Sequence, residues 1–244
     1  MILRLRRTLA RLADPDRGLL LPVFGFPVRV HPTFWLVAVV VALQSREHPA
    51  FLVVPALLGS ILVHELGHAF AASHWGTVYR ITVHGGGGLT EWRVLGTPCW
   101  RKTVAVSLAG PMAGFLLAAS AWAAQTLLLS VPWLWIAASG LCWLNLAWSL
   151  FNLLPVYPLD GGQALRTVLL HRYPSTGELA AAIVSLAATG PAVVLAITSD
   201  QPWAILVLGL CAVQNGTTTA TLLAKRPRSG WRSLDARDRV RDRY

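Results

Sequence analysis

Six apolar runs, most of them long enough to cross a lipid bilayer, dominate the chain between residues 31 and 223. They fall at roughly 31–45, 50–73, 103–130, 132–153, 179–198 and 202–223. A helical span needs about 20 such residues. The first run is short unless the preceding LLPVFGFPV extends it, and only Ser130-Val131-Pro132 divides the third from the fourth. In hydrocarbon each backbone polar group must find its partner within the protein, which favours helices. The expected fold is therefore an all-α polytopic membrane protein of about six transmembrane helices. Charged residues make up 13% of the chain, against roughly 25% in a soluble domain, and the mean hydropathy is +0.54.

The net charge of +10 does not point to nucleic acid, because its distribution follows the apolar runs. Arg4, Arg6, Arg7 and Arg11 open the chain, and a tail from Lys225 carries Arg226, Arg228 and further arginines. The 74–102 connection holds Arg80, Arg93, Arg101 and Lys102, and the 155–178 connection holds Arg166 and Arg172. With six spans all of these lie on one side, and Arg46 falls on the other. Cytoplasmic termini satisfy the positive-inside rule. The expected division is a basic cytoplasmic or interfacial N-terminus at 1–20, a membrane core at 21–224 and a basic cytoplasmic tail at 225–244. Pro22, Pro27 and Arg29 interrupt the stretch after the basic N-terminus, so a cleaved signal peptide is not expected. Cys99, Cys142 and Cys211 are scattered, with no metal-ligand spacing and no disulfide framework.

Within 77–94, TVYRITVHGGGGLTEWRV, the first half alternates and is rich in β-branched residues. Gly85 to Gly88 then permit a reversal, which predicts a small membrane-associated β-hairpin between the second and third spans.

Nine of the eleven acidic residues lie in terminal segments or connections; the other two are Glu65 and Asp160. Glu65 belongs to His64-Glu65-Leu66-Gly67-His68, an HExxH pattern inside the second run. On a helix His64 and His68 are one turn apart on one face, where two imidazoles can hold one Zn²⁺. Glu65 then stands where it can take a proton from a water at the metal. Ionisable residues at membrane depth are costly and mark function; the structural alternative is a polar cluster that ties helices together. If the span ends near Trp75, His64 is about 16 Å from that end and His68 about 10 Å. Water must then reach the site through a polar cavity.

A hydrolytic zinc usually has three protein ligands and one open position. Asp160, in FNLLPVYPLDGG after the fourth run, is the best candidate for the third, beside glycines that permit close backbone approach. His31, His84 and His171 compete with it. Two rival readings remain: a zinc transporter or zinc-binding membrane protein without hydrolysis, and a relative that only binds transmembrane helices. A transporter needs several polar sites along a path, and here there is one cluster.

HELGH in the second span, with Asn152, Pro155, Asp160 and Gly161 in the N-x-x-P-x-x-x-x-D-G pattern after the fourth, resembles the site-2 protease family of intramembrane zinc metalloproteases. GGLTEW at 87–92 and FGFPVRVHPTF at 24–34 are similar to further family segments, and the likeness covers roughly residues 20–175. The resemblance implies one Zn²⁺ per chain on His64, His68 and Asp160, with Glu65 as general base and then acid. It implies Asn152, and Gly161 with it, in a substrate-positioning or supporting role. It further implies cleavage of single-span membrane regulators within or near their transmembrane segment, in a bacterial-type plasma membrane. A minimal form without a PDZ or CBS domain is the expectation. One departure concerns the third span, where AGPMAG places Gly114 at a position that is commonly asparagine in the family.

Overall fold

The computed structural model describes residues 19–44, 50–96 and 99–224. Most of the expected N-terminal segment, all of the expected tail, and Arg46 lie outside the described residues. The chain opens with a hairpin of β1 (Leu19–Val23) and β2 (Phe26–Val30). Phe24 and Gly25 form its two-residue turn, both at positive φ, the geometry of a tight hairpin reversal. Helices α1 (Pro32–Gln44) and α2 (Ala50–Ser73) follow, then β3 (Gly76–His84) and β4 (Gly87–Val94). The rest is helical: α3 (Trp100–Leu127), α4 (Pro132–Asn152), α5 (Asp160–Arg172), α6 (Gly177–Thr198) and α7 (Pro202–Ala224). Proline opens α1, α4 and α7, in the first turn, where its missing N–H breaks no helical hydrogen bond.

Helices α2, α3, α4, α6 and α7 are long and apolar enough to cross a membrane. The protein is thus a multi-pass membrane protein with a small sheet. Three details differ from the sequence-based expectation. The stretch before the first apolar run forms the β1–β2 hairpin and does not lengthen it, so α1 keeps 13 residues, about 20 Å of helix. The 155–178 connection contains a helix, α5. The expected hairpin, β3–β4, is half of a four-stranded sheet of order β1-β2-β3-β4.

The sheet is mixed. β1 and β2 pair antiparallel, β2 and β3 parallel, and β3 and β4 antiparallel with an irregularity between Val78 and Arg80. A parallel pair needs a long crossover, and α1 and α2 supply it. Val28 and Ile81 of the parallel pair pack against Leu66 and Ala69 of α2. That contact sets the sheet beside the half of α2 that carries the HELGH residues. At the other end of the chain, α6 and α7 enclose Val156, which is fully buried among Ala196, Ala204, Leu208 and Cys211.

Candidate metal centre

His64 and His68 project from one face of α2, with Nε2 atoms 3.2 Å apart. The first turn of α5 brings Asp160 to them. Its Oδ2 lies 3.0 Å from His64 Nε2 and 3.4 Å from His68 Nε2. All three side chains are buried. A tetrahedral ion with bonds of about 2.0–2.1 Å sets its ligands about 3.3–3.4 Å apart. The observed triangle has edges close to that length.

Proton counting leads the same way. His68 Nδ1 lies 2.7 Å from the Val106 carbonyl. A carbonyl only accepts, so Nδ1–H donates and the Nε2 lone pair faces the triangle. The Asp160 oxygen brings a further lone pair. Buried groups of this kind at this distance are satisfied by a proton on an imidazole or by a metal ion between them. The residues present fit a zinc-type ion.

Glu65 is turned to the other side. Thr90 Oγ1 of β4 is 2.7 Å from Glu65 Oε2 and 3.1 Å from the Glu65 carbonyl oxygen. The donor atoms of His64, Glu65 and His68 also lie within 4.8 Å of one another. The edges to Asp160 are shorter, however, and the Thr90 hydroxyl claims one carboxylate oxygen. The carboxylate that meets both histidines is thus that of Asp160, while that of Glu65 faces Thr90.

Backbone proximity shapes the site. A Cβ at Gly110 of α3 would overlap the His68 imidazole, and one at Gly88 of β4 would overlap the Glu65 carboxylate. Pro111, next to Gly110, leaves the Ser107 carbonyl without its helical donor, and Ser107 lines a cavity of about 100 Å³ beside the centre. Glu65, His68, Gly88, Thr90 and Asp160 line the same cavity. β4 is an edge strand on this side, paired only with β3 among the described residues.

The other candidates lie elsewhere. His31 engages Thr33 Oγ1 through Nδ1. His84 accepts from the Gly86 N–H at the hairpin tip, and burial, with His31 nearby, pushes it below the usual histidine range. His171 stacks on Trp100. Asn152, on the last turn of α4, donates to the Trp148 carbonyl one turn back. Gly161 packs on the Leu153 carbonyl, where a Cβ would not fit. At Gly114 a Cβ would overlap Ser149 Oγ of α4, so a hydroxyl from a neighbouring helix occupies the space of a side chain. The sequence marks Gly88 and Thr90 only as part of GGLTEW and Gly110 only as part of AGPMAG, and it gives no sign of the Val106 carbonyl. The glycine run and the AGP triplet were the visible signals.

No family model matches the chain. A zinc metalloprotease of Methanocaldococcus jannaschii is 29% identical over 164 residues, covering 63% of this chain and 46% of the relative. Stage IV sporulation protein FB of Bacillus subtilis is 32% identical over 149 residues, covering 60% and 49%. The chain thus spans about half the length of these curated relatives. Among solved structures, a site-2 protease from M. jannaschii matches with a TM-score of 0.58 and 21% identity, over 83% of this chain and 95% of that one; this likeness speaks to the fold. In sequence the chain is thus similar to a zinc metalloprotease and to a sporulation protein over about half of their length, and its fold is that of a site-2 protease.

Proposed function

We propose that the protein is an intramembrane zinc metalloprotease that cleaves a peptide bond within or near the transmembrane segment of single-span membrane proteins. The observation that carries this reading is the buried triangle of His64, His68 and Asp160 with Glu65 beside it on a bilayer-length helix. His64, His68 and Asp160 would hold the ion, one per chain. When bound, zinc supplies Lewis acidity toward the scissile carbonyl and makes water easier to deprotonate.

The chain's own groups do the rest. Glu65, aimed by Thr90, accepts the proton of the attacking water at its carboxylate and returns it to the leaving nitrogen. The side chain is 4% exposed, so bulk water does not compete for that proton. The substrate must lose helicity locally to present a carbonyl. The edge of β4, unpaired among the described residues, can receive the extended segment as an added strand, with Leu89 and Thr90 lining the cavity. With the short α1 counted as a sixth span, the charge pattern supports cytoplasmic termini, and a bacterial-type plasma membrane is what the family resemblance implies.

Cleavage of single-span reporter substrates in vesicles, with metal content measured on the same protein, tests the reading. Stoichiometric zinc together with reporter cleavage is expected. Folded protein without zinc would overturn it.

Gly88→Ala probes the strand edge. Its methyl group can enter only by displacing the Glu65 carboxylate. The expected outcome is retained metal with cleavage reduced about 10²-fold, the usual consequence of a shift near 1 Å in a reacting group. Unaltered turnover would show that the close approach of β4 has no part in the reaction.

A further inference from the structure

Helices α6 and α7 contain buried polar side chains that the reaction does not use. Ser185 of α6 is 1% exposed and Asn215 of α7 is 2% exposed. Polar groups in membrane helices most often tie one helix to another. These two do not. The Ser185 hydroxyl donates to Ala181 O of its own helix and accepts from the Tyr157 N–H at 3.0 Å. Asn215 Nδ2 donates to Cys211 O of its own helix and to the Tyr157 carbonyl at 2.6 Å. Each side chain thus has one partner off its own helix, and both partners belong to Tyr157.

Tyr157 stands three residues before Asp160 and is coupled to it by packing. A Cβ at Gly162 would overlap Tyr157 N and the Val156 carbonyl group. The first turn of α5, which presents Asp160, therefore rests directly on the backbone held by α6 and α7. Val156 adds an apolar anchor, enclosed by residues of the same two helices. Arg166 of α5 closes the arrangement, with its guanidinium 5.3 Å from the centre of the Tyr157 ring and 2.6 Å from Glu178 of α6.

We propose that Ser185 and Asn215 are positioning residues for Asp160, acting through the backbone of Tyr157. By this arrangement the α6–α7 pair determines whether the third donor meets the histidines. The inference rests on Asp160 as a metal donor, and it adds two residues from the far end of the chain to the construction of the centre.

The test uses the full chain in detergent micelles, with Co²⁺ as the probe metal. Ser185→Ala and Asn215→Leu each remove one arm of the clamp. Ser185→Thr keeps the hydroxyl. Thr189→Val removes a buried hydroxyl that bonds only Ser185 O and serves as the control. Two quantities are read: amide hydrogen exchange across 156–161, and Co²⁺ affinity with its visible spectrum. Circular dichroism verifies that each variant is folded.

Ser185→Ala and Asn215→Leu are expected to speed exchange in 156–161 and to weaken Co²⁺ binding about 10–100-fold, the usual effect of losing support for a ligand. Ser185→Thr and Thr189→Val are expected to behave as wild type. Unchanged exchange and affinity in both arm variants would overturn the proposal, as would faster exchange with unchanged affinity. If Asn215→Leu does not fold, Ser185→Ala decides. If wild type binds no Co²⁺, the proteolytic reading falls separately, and the exchange data still judge the clamp.

Discussion

Glu65→Gln is expected to abolish proteolysis and leave the metal in place. The substitution keeps the shape of the side chain, and its amide oxygen can still accept from Thr90. It removes the one carboxylate at the centre that is not committed to the donor triangle. A positioned base contributes about 10²–10⁴-fold, so cleavage of a single-span reporter should fall by at least that range. Folding should not suffer, because a neutral amide is easier to bury than a carboxylate. Zinc content and reporter cleavage on the same preparation check the prediction. Equal turnover in wild type and variant would remove Glu65 from the chemistry. Metal in both with cleavage by neither would return attention to a protein that binds metal without hydrolysis.

Gly110→Ala should give the complementary phenotype, a folded protein without metal. Alanine is the better helix former by about 1 kcal/mol, so α3 itself gains from the change. The conflict is confined to the crossing, where the new methyl group would occupy the space of the His68 ring. The helices cannot easily slide apart to admit it. Gly67 of α2 meets the Ala109 carbonyl backbone to backbone, one residue from the same point. The imidazole must therefore leave its place and give up its bond to Val106 O. Metal affinity should drop at least 10–100-fold and cleavage should disappear with it, while the far-ultraviolet spectrum stays helical. Metal analysis after dialysis measures this. A variant that retains stoichiometric zinc would show that the close approach of Gly110 is not what holds the His68 imidazole in place.

The spans were legible because each is a nearly unbroken apolar run, and continuity needs no knowledge of neighbours. The β3–β4 hairpin was legible from alternation and a glycine run. The β1–β2 hairpin was not. Its apolar residues resemble the start of a span, and its partner β3 lies some fifty residues away, so only long-range pairing reveals it. Helix α5 is not legible as a helix because it opens with Asp160 and two glycines, residues that favour turns. Within the site, His64, Glu65 and His68 follow from helical spacing, and Asp160 from the scarcity of acids near apolar sequence. Gly88, Thr90, Gly110 and the Val106 carbonyl act across contacts between elements, which no local pattern encodes. Ser185 and Asn215 left a faint trace as polar residues in otherwise apolar spans.

The donors also carry an implication for biogenesis. His64 and Asp160 are 96 positions apart, and two membrane-length helices, α3 and α4, lie between them. A growing chain that has inserted α2 holds two imidazoles and a carboxylate, with no third ligand to complete the triangle. The centre closes only after α4 has entered the bilayer and the segment behind it has folded back. If the clamp on Tyr157 operates, closure waits further, for α6 and α7. On the proposed function, the order of synthesis thus keeps the nascent protein inert among the membrane segments inserting around it.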